Sequence, residues 1–313
     1  MPGSGFPTAK GPVARAYRKL FRAEAWNIGV VHSPIHAFLE PGFTPEVQWL
    51  PDPGPGRFRA DPFGIRIDGR LHILCEELDY RTGKGTIAAI EVSGGGVRSS
   101  TAIRLPVHMS YPYLVRRHDE VYCIPETSQA GEVVLYRADA FPARWTEAAV
   151  LIPGLRAADC TVFEREGRWW MMCAGEHEGF NSRLLIWYAP DLFGPWKPHP
   201  LNPLKDDVSC SRPAGTPFVH EGSLYRPAQD CSRTYGGRVV INRVNVLTSD
   251  DFHEETVAAV EPQADGPYPH GMHTLSAVGD ITLVDGKRER FIPQAAAWLL
   301  RDKIHGLCSS PRN

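Results

Sequence analysis

A strand, turn, strand pattern returns five times along this chain at intervals near fifty residues, and this repetition limits the possible folds more than any other feature. The first copy runs Ala60-Asp61-Pro62-Phe63-Gly64-Ile65-Arg66-Ile67, then the turn Asp68-Gly69, then Arg70 to Glu77. The second copy is Ser110 to Val115 followed by Val121 to Glu126; the third is Ala158 to Phe163 followed by Trp169 to Cys173. The fourth is Gly215 to Val219 followed by Ser223 to Pro227, and the fifth opens at Met272-His273-Thr274-Leu275-Ser276. Aligned in this way, Asp61, Tyr111, Asp159, Thr216 and His273 share one repeat position, with successive spacings of 50, 48, 57 and 57 residues. A further apolar strand and an outer fourth strand follow in the early copies. Four short strands cannot bury both faces of their sheet alone, so such units stack around an axis. The pattern predicts an all-β fold, a five-bladed β-propeller with short helices at the termini.

The unit boundaries divide the chain into a tail with a short helix (1–25), the propeller (26–292) and a C-terminal helix (293–313). In the tail, Tyr17, Leu20 and Phe21 fall at helical spacing within Ala14 to Ala25. Gln294 to Ile304, followed by Gly306, reads as the C-terminal helix with its stop. The fifth unit is short. Its strands are expected at Met272 to Val278, Asp280 to Val284 and Arg288 to Ile292, with Asp285-Gly286 as a turn. Asn27 to Val31 is expected to supply the missing fourth strand, closing the ring and removing its open edges.

Composition excludes several classes. Thirty-four basic against thirty-six acidic residues give a formal charge of −2, which supplies no field for nucleic acid or anionic lipid. The 29 glycines and 28 prolines suit a fold rich in tight turns. Seven cysteines, none in a C-x-x-C pair, read as small buried hydrophobes. No apolar run reaches the roughly 20 residues of a membrane span, so no integral membrane segment and a cytoplasmic location are expected.

The first strand of each blade lines the axis, so Asp61, Tyr111, Asp159, Thr216 and His273 are expected to converge there. Polar groups gathered away from water need a task, and two acids, two hydroxyls and an imidazole suit chemistry better than packing. A second polar set lies where the inner strands end: Glu76, Glu77, Glu126, Arg212, Arg226, Gln229 and Asp230. Carboxylate, amide and guanidinium groups of this kind bind sugar hydroxyls. His270 and His273 lack companion ligands for zinc, and no P-loop or dinucleotide fingerprint is present. Neither a metal nor another cofactor is expected.

At Asp61-Pro62, Asp159, Gly194-Pro195-Trp196 and His273, the chain resembles the five-bladed propeller glycosidases of the arabinanase/xylosidase and invertase-like families. It is similar more closely to the N-terminal propeller domain of plant glucosamine inositolphosphorylceramide transferases. The segments carrying that likeness are Ala60-Asp61-Pro62-Phe63, Ser110-Tyr111-Pro112, Ile124-Pro125-Glu126 and Leu135-Tyr136-Arg137-Ala138, within roughly residues 45 to 290. The glycosidase resemblance implies Asp61 as catalytic base and Asp159 as the residue that tunes it. The glutamate that opens the fourth blade of the arabinanase-like pattern is replaced here by Arg212-Pro213-Ala214-Gly215-Thr216, which leaves Glu126 as the substitute acid and Asp230 after it. Tyr111, Arg212, Thr216, Arg226, Gln229, Asp230 and His273 are then expected to bind substrate. The expected function is cleavage or transfer of a glycosidic bond in a carbohydrate or glycoconjugate. The alternative is a catalytically silent glycan- or glycolipid-binding propeller acting beside a partner transferase.

Overall fold

The computed structural model describes residues 22–93, 96–176 and 180–291. They form five sheets of antiparallel strands around one axis. Blade 1 comprises Arg57–Ile67, Arg70–Asp79, Lys84–Ser93 and Gly96–Ile103. Blade 2 comprises Ser110–Arg117, Glu120–Glu126, Glu132–Ala140 and Arg144–Pro153. Blade 3 is built from Ala157–Arg165, Arg168–Gly175, Arg183–Ala189 and Lys197–Pro198, and blade 4 from Phe218–His220, Ser223–Asp230, Arg238–Leu247 and Phe252–Val260. Among the described residues no helix is long and apolar enough to cross a membrane.

The second strands explain why blades need neighbours. Ile73, Leu74 and Cys75 are each fully buried, although consecutive residues of a strand point to opposite faces. Ile73 and Cys75 pack with Ile28, Val30 and Leu283 of blade 5, whereas Leu74 packs with Cys123 and Val134 of blade 2. In blade 3, Met171 and Cys173 join the core shared with blade 2, while Met172 joins Leu184, Ile186 and Phe252 on the side of blade 4. Burying each such side chain stabilises the fold by about 1.5–3 kcal/mol, and that gain requires a blade on either side. The six cysteines described are all buried and free.

Tight turns join the first two strands of blades 1, 3 and 4. Asp68-Gly69, Glu166-Gly167 and Glu221-Gly222 all take positive φ, the two-residue turn geometry that follows the twist of a hairpin.

Blade 5 departs from expectation. Its strands run Leu275–Val278, Ile281–Phe291, Arg22–Val31 and Val47–Trp49, so the N-terminal segment supplies two strands rather than one. Asp285-Gly286 is no turn: Ile281–Phe291 passes straight through it, paired residue by residue with Arg22–Val31. An Asp-Gly pair favours a turn locally, but ten paired positions along the partner strand outweigh that preference. The strand requires glycine at 286, where an added Cβ would stand 2.7 Å from Tyr268 Cβ. Arg22 to Ala25, expected as the end of a helix, belong to this strand for the same reason. The remainder of that helix and the C-terminal helix lie outside the described residues.

The inner segment of blade 4 is also irregular. Only Phe218–His220 forms a regular strand there, and the residues before it bond to blade 5 instead, Thr216 N–H to Leu275 O at 3.1 Å and Leu275 N–H to Ala214 O at 2.7 Å. Gly215, with φ 125°, lies so close to the Leu275 backbone that no side chain fits.

Candidate active site

Asp61, Tyr111 and Asp159 stand at the same place in blades 1, 2 and 3, and a shared backbone feature marks it. Their φ angles are 52°, 43° and 54°, and at each one the pairing between the first and second strands slips. A bulge of this kind re-aims a side chain, and a left-handed conformation in a non-glycine residue is held only when its surroundings enforce it. The enforcement is visible. Asp61 N–H donates to Asp285 Oδ2 (3.1 Å), and Tyr111 N–H donates to Asp61 Oδ2 (3.2 Å).

Tyr111 is fully buried and spans the axis. Its hydroxyl accepts the Gly215 N–H of blade 4 (2.7 Å) and bonds the Thr161 hydroxyl of blade 3 (2.8 Å), which donates to the Asp159 carbonyl (3.2 Å). The phenol expected to face substrate is thus occupied by protein. Thr216, one position beyond Gly215, is half-buried, and its hydroxyl accepts the Ala277 N–H (3.2 Å).

Two ion pairs organise the carboxyl groups. His273 Nδ1 lies 2.6 Å from Asp285 Oδ2 and 3.7 Å from Asp61 Oδ1, with all three residues buried. Asp285 also accepts the backbone N–H groups of His273 (2.8 Å) and Thr274 (3.1 Å), while the Thr274 hydroxyl donates to Asp61 Oδ1 (3.1 Å). Burial works against both charges of the His273–Asp285 pair. Their mutual attraction prevails, raising the imidazole and holding the Asp285 carboxyl below its ordinary range. The Asp61, His273 and Asp285 donor atoms lie within 4.8 Å of one another, the one such grouping among the described residues. Four protein N–H groups already use the Asp285 oxygens, so hydrogen bonds do there what a cation would do.

The second pair is Arg212 with Asp159. Arg212 Nε donates to Asp159 Oδ2 (2.6 Å) and its NH2 group to Oδ1 (3.3 Å), a two-bond clamp. Gln229 Nε2 adds a third bond to Asp159 Oδ2 (2.8 Å). Glu126 adjoins this clamp. Its Oε1 accepts the Ser128 hydroxyl (3.1 Å), but among the described residues its buried Oε2 finds no donor, with Arg212 still 3.7 Å away. A proton on Glu126 resolves the orphan by donating to Asp159. Burial, then the Asp159 charge, push the Glu126 carboxyl up to about 8 against the pull of Arg212.

Asp61 is raised to about 6 by burial, with His273 opposing and Asp159 and Asp285 reinforcing. Glu76, buried beside His108 (3.4 Å), is lifted well above the carboxylate range by burial and then by Asp61 and Glu126. The centre therefore places a carboxyl that keeps its proton at neutral pH near one that gives it up, the complementary states that acid and base roles require.

Of the residues expected from sequence, Asp61, Asp159, Glu126, Arg212, Gln229 and His273 come together. Arg226 does not. It is 1% exposed, paired with Glu254 at 2.5 Å and bonded to the Cys210 and Ser211 carbonyls, which makes it an internal tie of blade 4. Asp230 turns to Ser232 and Arg238 (2.8 Å), and these bonds outweigh burial and keep its carboxyl low. A glutamate expected near the axis, Glu77, pairs with Arg57 and Arg59, each at 3.0 Å. Sequence reasoning missed Asp285, hidden in a turn-like dipeptide, and Thr274. It also missed the aromatic wall of Trp26, stacked on His273 at 4.0 Å, and Tyr235.

The five blades close on an axis lined with carboxyl groups, which defines the class of the chain as a five-bladed β-propeller. The fold matches a family 117 glycoside hydrolase of Zobellia galactanivorans with a TM-score of 0.53 and 14% identity, over 86% of this chain and 91% of that one. It also matches the GH43_1 enzyme of Xanthomonas citri complexed with xylose, with a TM-score of 0.54 and 12% identity, over 76% and 88% of the two chains. Likeness at these identities concerns the fold alone. The chain belongs to the family described as glucosamine inositolphosphorylceramide transferase 1, N-terminal, whose pattern matches residues 48–267. It is 30% identical to glucosamine inositolphosphorylceramide transferase 1 of Arabidopsis thaliana over 84% of its own length, and it spans 39% of that relative.

Proposed function

We propose that this propeller acts on a carbohydrate or glycoconjugate at its axis, with Glu126 donating a proton to the leaving oxygen and Asp61 accepting one from the attacking hydroxyl. Asp159 tunes Glu126 through the shared proton. The observation that carries the reading is the orphaned Glu126 Oε2 beside the clamped Asp159. A buried acid that finds a partner only when protonated is held ready to protonate. Arg212 supports the acid indirectly, by fixing Asp159 of blade 3 beside it.

A second reading is favoured by the share of the relatives that the chain covers, 39% of the Arabidopsis protein and 34% of a rice relative. On this reading the propeller holds a glycan or glycolipid for a transferase located elsewhere. Turnover of aryl glycosides and oligosaccharides by wild-type protein and Asp61→Asn separates the two. The enzymatic reading expects wild-type turnover that falls by about 10²–10⁴ in the variant, with little change in melting temperature. Binding without turnover across the panel supports the second reading and refutes the first.

A further inference from the structure

Tyr235 lies in the loop between the second and third strands of blade 4, and the fold alone does not account for it. The loop is pinned from several sides. Lys287, 3% exposed, donates Nζ to the Tyr235 carbonyl and approaches the Thr234 hydroxyl at 3.4 Å. Gly236, at φ 55°, packs so closely that an added Cβ would stand 2.7 Å from the Trp26 ring and 3.1 Å from His273. The Tyr235 ring meets His273 edge-on at 5.4 Å and Trp26 at 6.3 Å, with the Arg212 guanidinium 5.2 Å from its centroid.

Its neighbours are buried, Trp26 at 4%, Arg212 at 8% and His273 at 2%, yet Tyr235 is 38% exposed. Among the described residues its hydroxyl makes no hydrogen bond, although Asp61, Asp159 and Glu126 all act on it electrostatically. A pinned, partly exposed aromatic with an unused hydroxyl, within electrostatic reach of a carboxyl cluster, suits a ligand with both an apolar face and hydroxyls.

We propose that Tyr235 is a substrate-contacting, specificity-determining residue, stacking its ring on a sugar ring seated over Asp61 and Glu126 and hydrogen-bonding that sugar through its hydroxyl. The proposal rests on the axial site reading. Arg212 backs the ring and clamps Asp159, so one guanidinium couples the sugar platform to the acid pair.

The test uses iminosugars, whose charged ring nitrogen suits a site rich in carboxyl groups: deoxynojirimycin, deoxygalactonojirimycin and 1,4-dideoxy-1,4-imino-L-arabinitol. Affinities are measured by calorimetry for wild type, Tyr235→Phe, Tyr235→Ala and Asp61→Asn, with melting temperatures alongside. Loss of the hydroxyl weakens the best binder about threefold in Tyr235→Phe, and loss of the ring as well weakens it on the order of thirtyfold in Tyr235→Ala. A tyrosine difference spectrum on binding is expected in wild type and absent in Tyr235→Phe, a readout that a purely structural role would not move. If Asp61→Asn changes affinity while both Tyr235 variants bind as wild type does, the Tyr235 proposal falls and the axial site stands. If wild type binds none of the three, the site reading falls and Tyr235 with it.

Discussion

Replacing Glu126 by glutamine tests whether a buried proton is held at the centre of this propeller. A carboxyl raised from 4.5 to about 8 keeps its proton in the folded protein over a range where the unfolded chain has lost it. Stability from this group is therefore fully present below pH 4.5 and is lost as pH rises through 8. Integrating that linkage gives a cost of about 3 kcal/mol at pH 7 and about 4 kcal/mol at pH 8. Glutamine removes the titration. Its carbonyl can accept the Ser128 hydroxyl and its amide can donate to Asp159, so the geometry of the clamp survives. Part of that cost comes from the neighbouring Asp159 and Asp61 charges, which rearrange as Glu126 ionises, so the expected gain for Glu126→Gln is on the order of 2 kcal/mol at pH 8, shrinking to nothing near pH 4. For a chain of this size that is an increase in melting temperature of roughly 3 °C. Thermal unfolding of both proteins at half-unit steps from pH 4 to 9 provides the measurement. A difference that does not change with pH, or a variant less stable at pH 8 than at pH 4 relative to wild type, refutes the protonated acid.

Arg212→Met removes the two-bond clamp and leaves buried Asp159 without its ion partner, held only by Gln229 and the Glu126 proton, and urea unfolding at pH 7 should show a loss of about 3–5 kcal/mol. Adding Asp159→Asn to that variant should restore much of it, and additive losses would break the clamp argument. Arg226→Met should cost less than this, about 1–3 kcal/mol, because Glu254, which is 1% exposed, loses the guanidinium but keeps Lys205 at 2.9 Å, while iminosugar affinity stays unchanged. Weakened binding by a folded Arg226→Met would return Arg226 to the site.

The blades were legible in the sequence because a repeat of fifty residues with apolar strands and paired turn residues admits few other packings. The repeat also brought out Asp61, Tyr111 and Asp159, since residues at one station of a ring must converge. The division of labour among them was not legible. Asp61 and Tyr111 occupy equivalent bulges, yet one is a titrating carboxyl and the other a sealed tie across the axis, because only the tyrosine reaches Gly215 and Thr161 on the other blades. Arg226 and Arg212 are both arginines of blade 4, and only the tertiary contact with Glu254 turns the first away from the axis. Asp285 shows the limit most plainly. In sequence, Asp285-Gly286 is a turn; in the ring, pairing with Arg22–Val31 from the far end of the chain holds it extended and sets its carboxylate beneath Asp61 and His273. Local preference fixes the strands, and closure of the ring decides which of their polar groups meet.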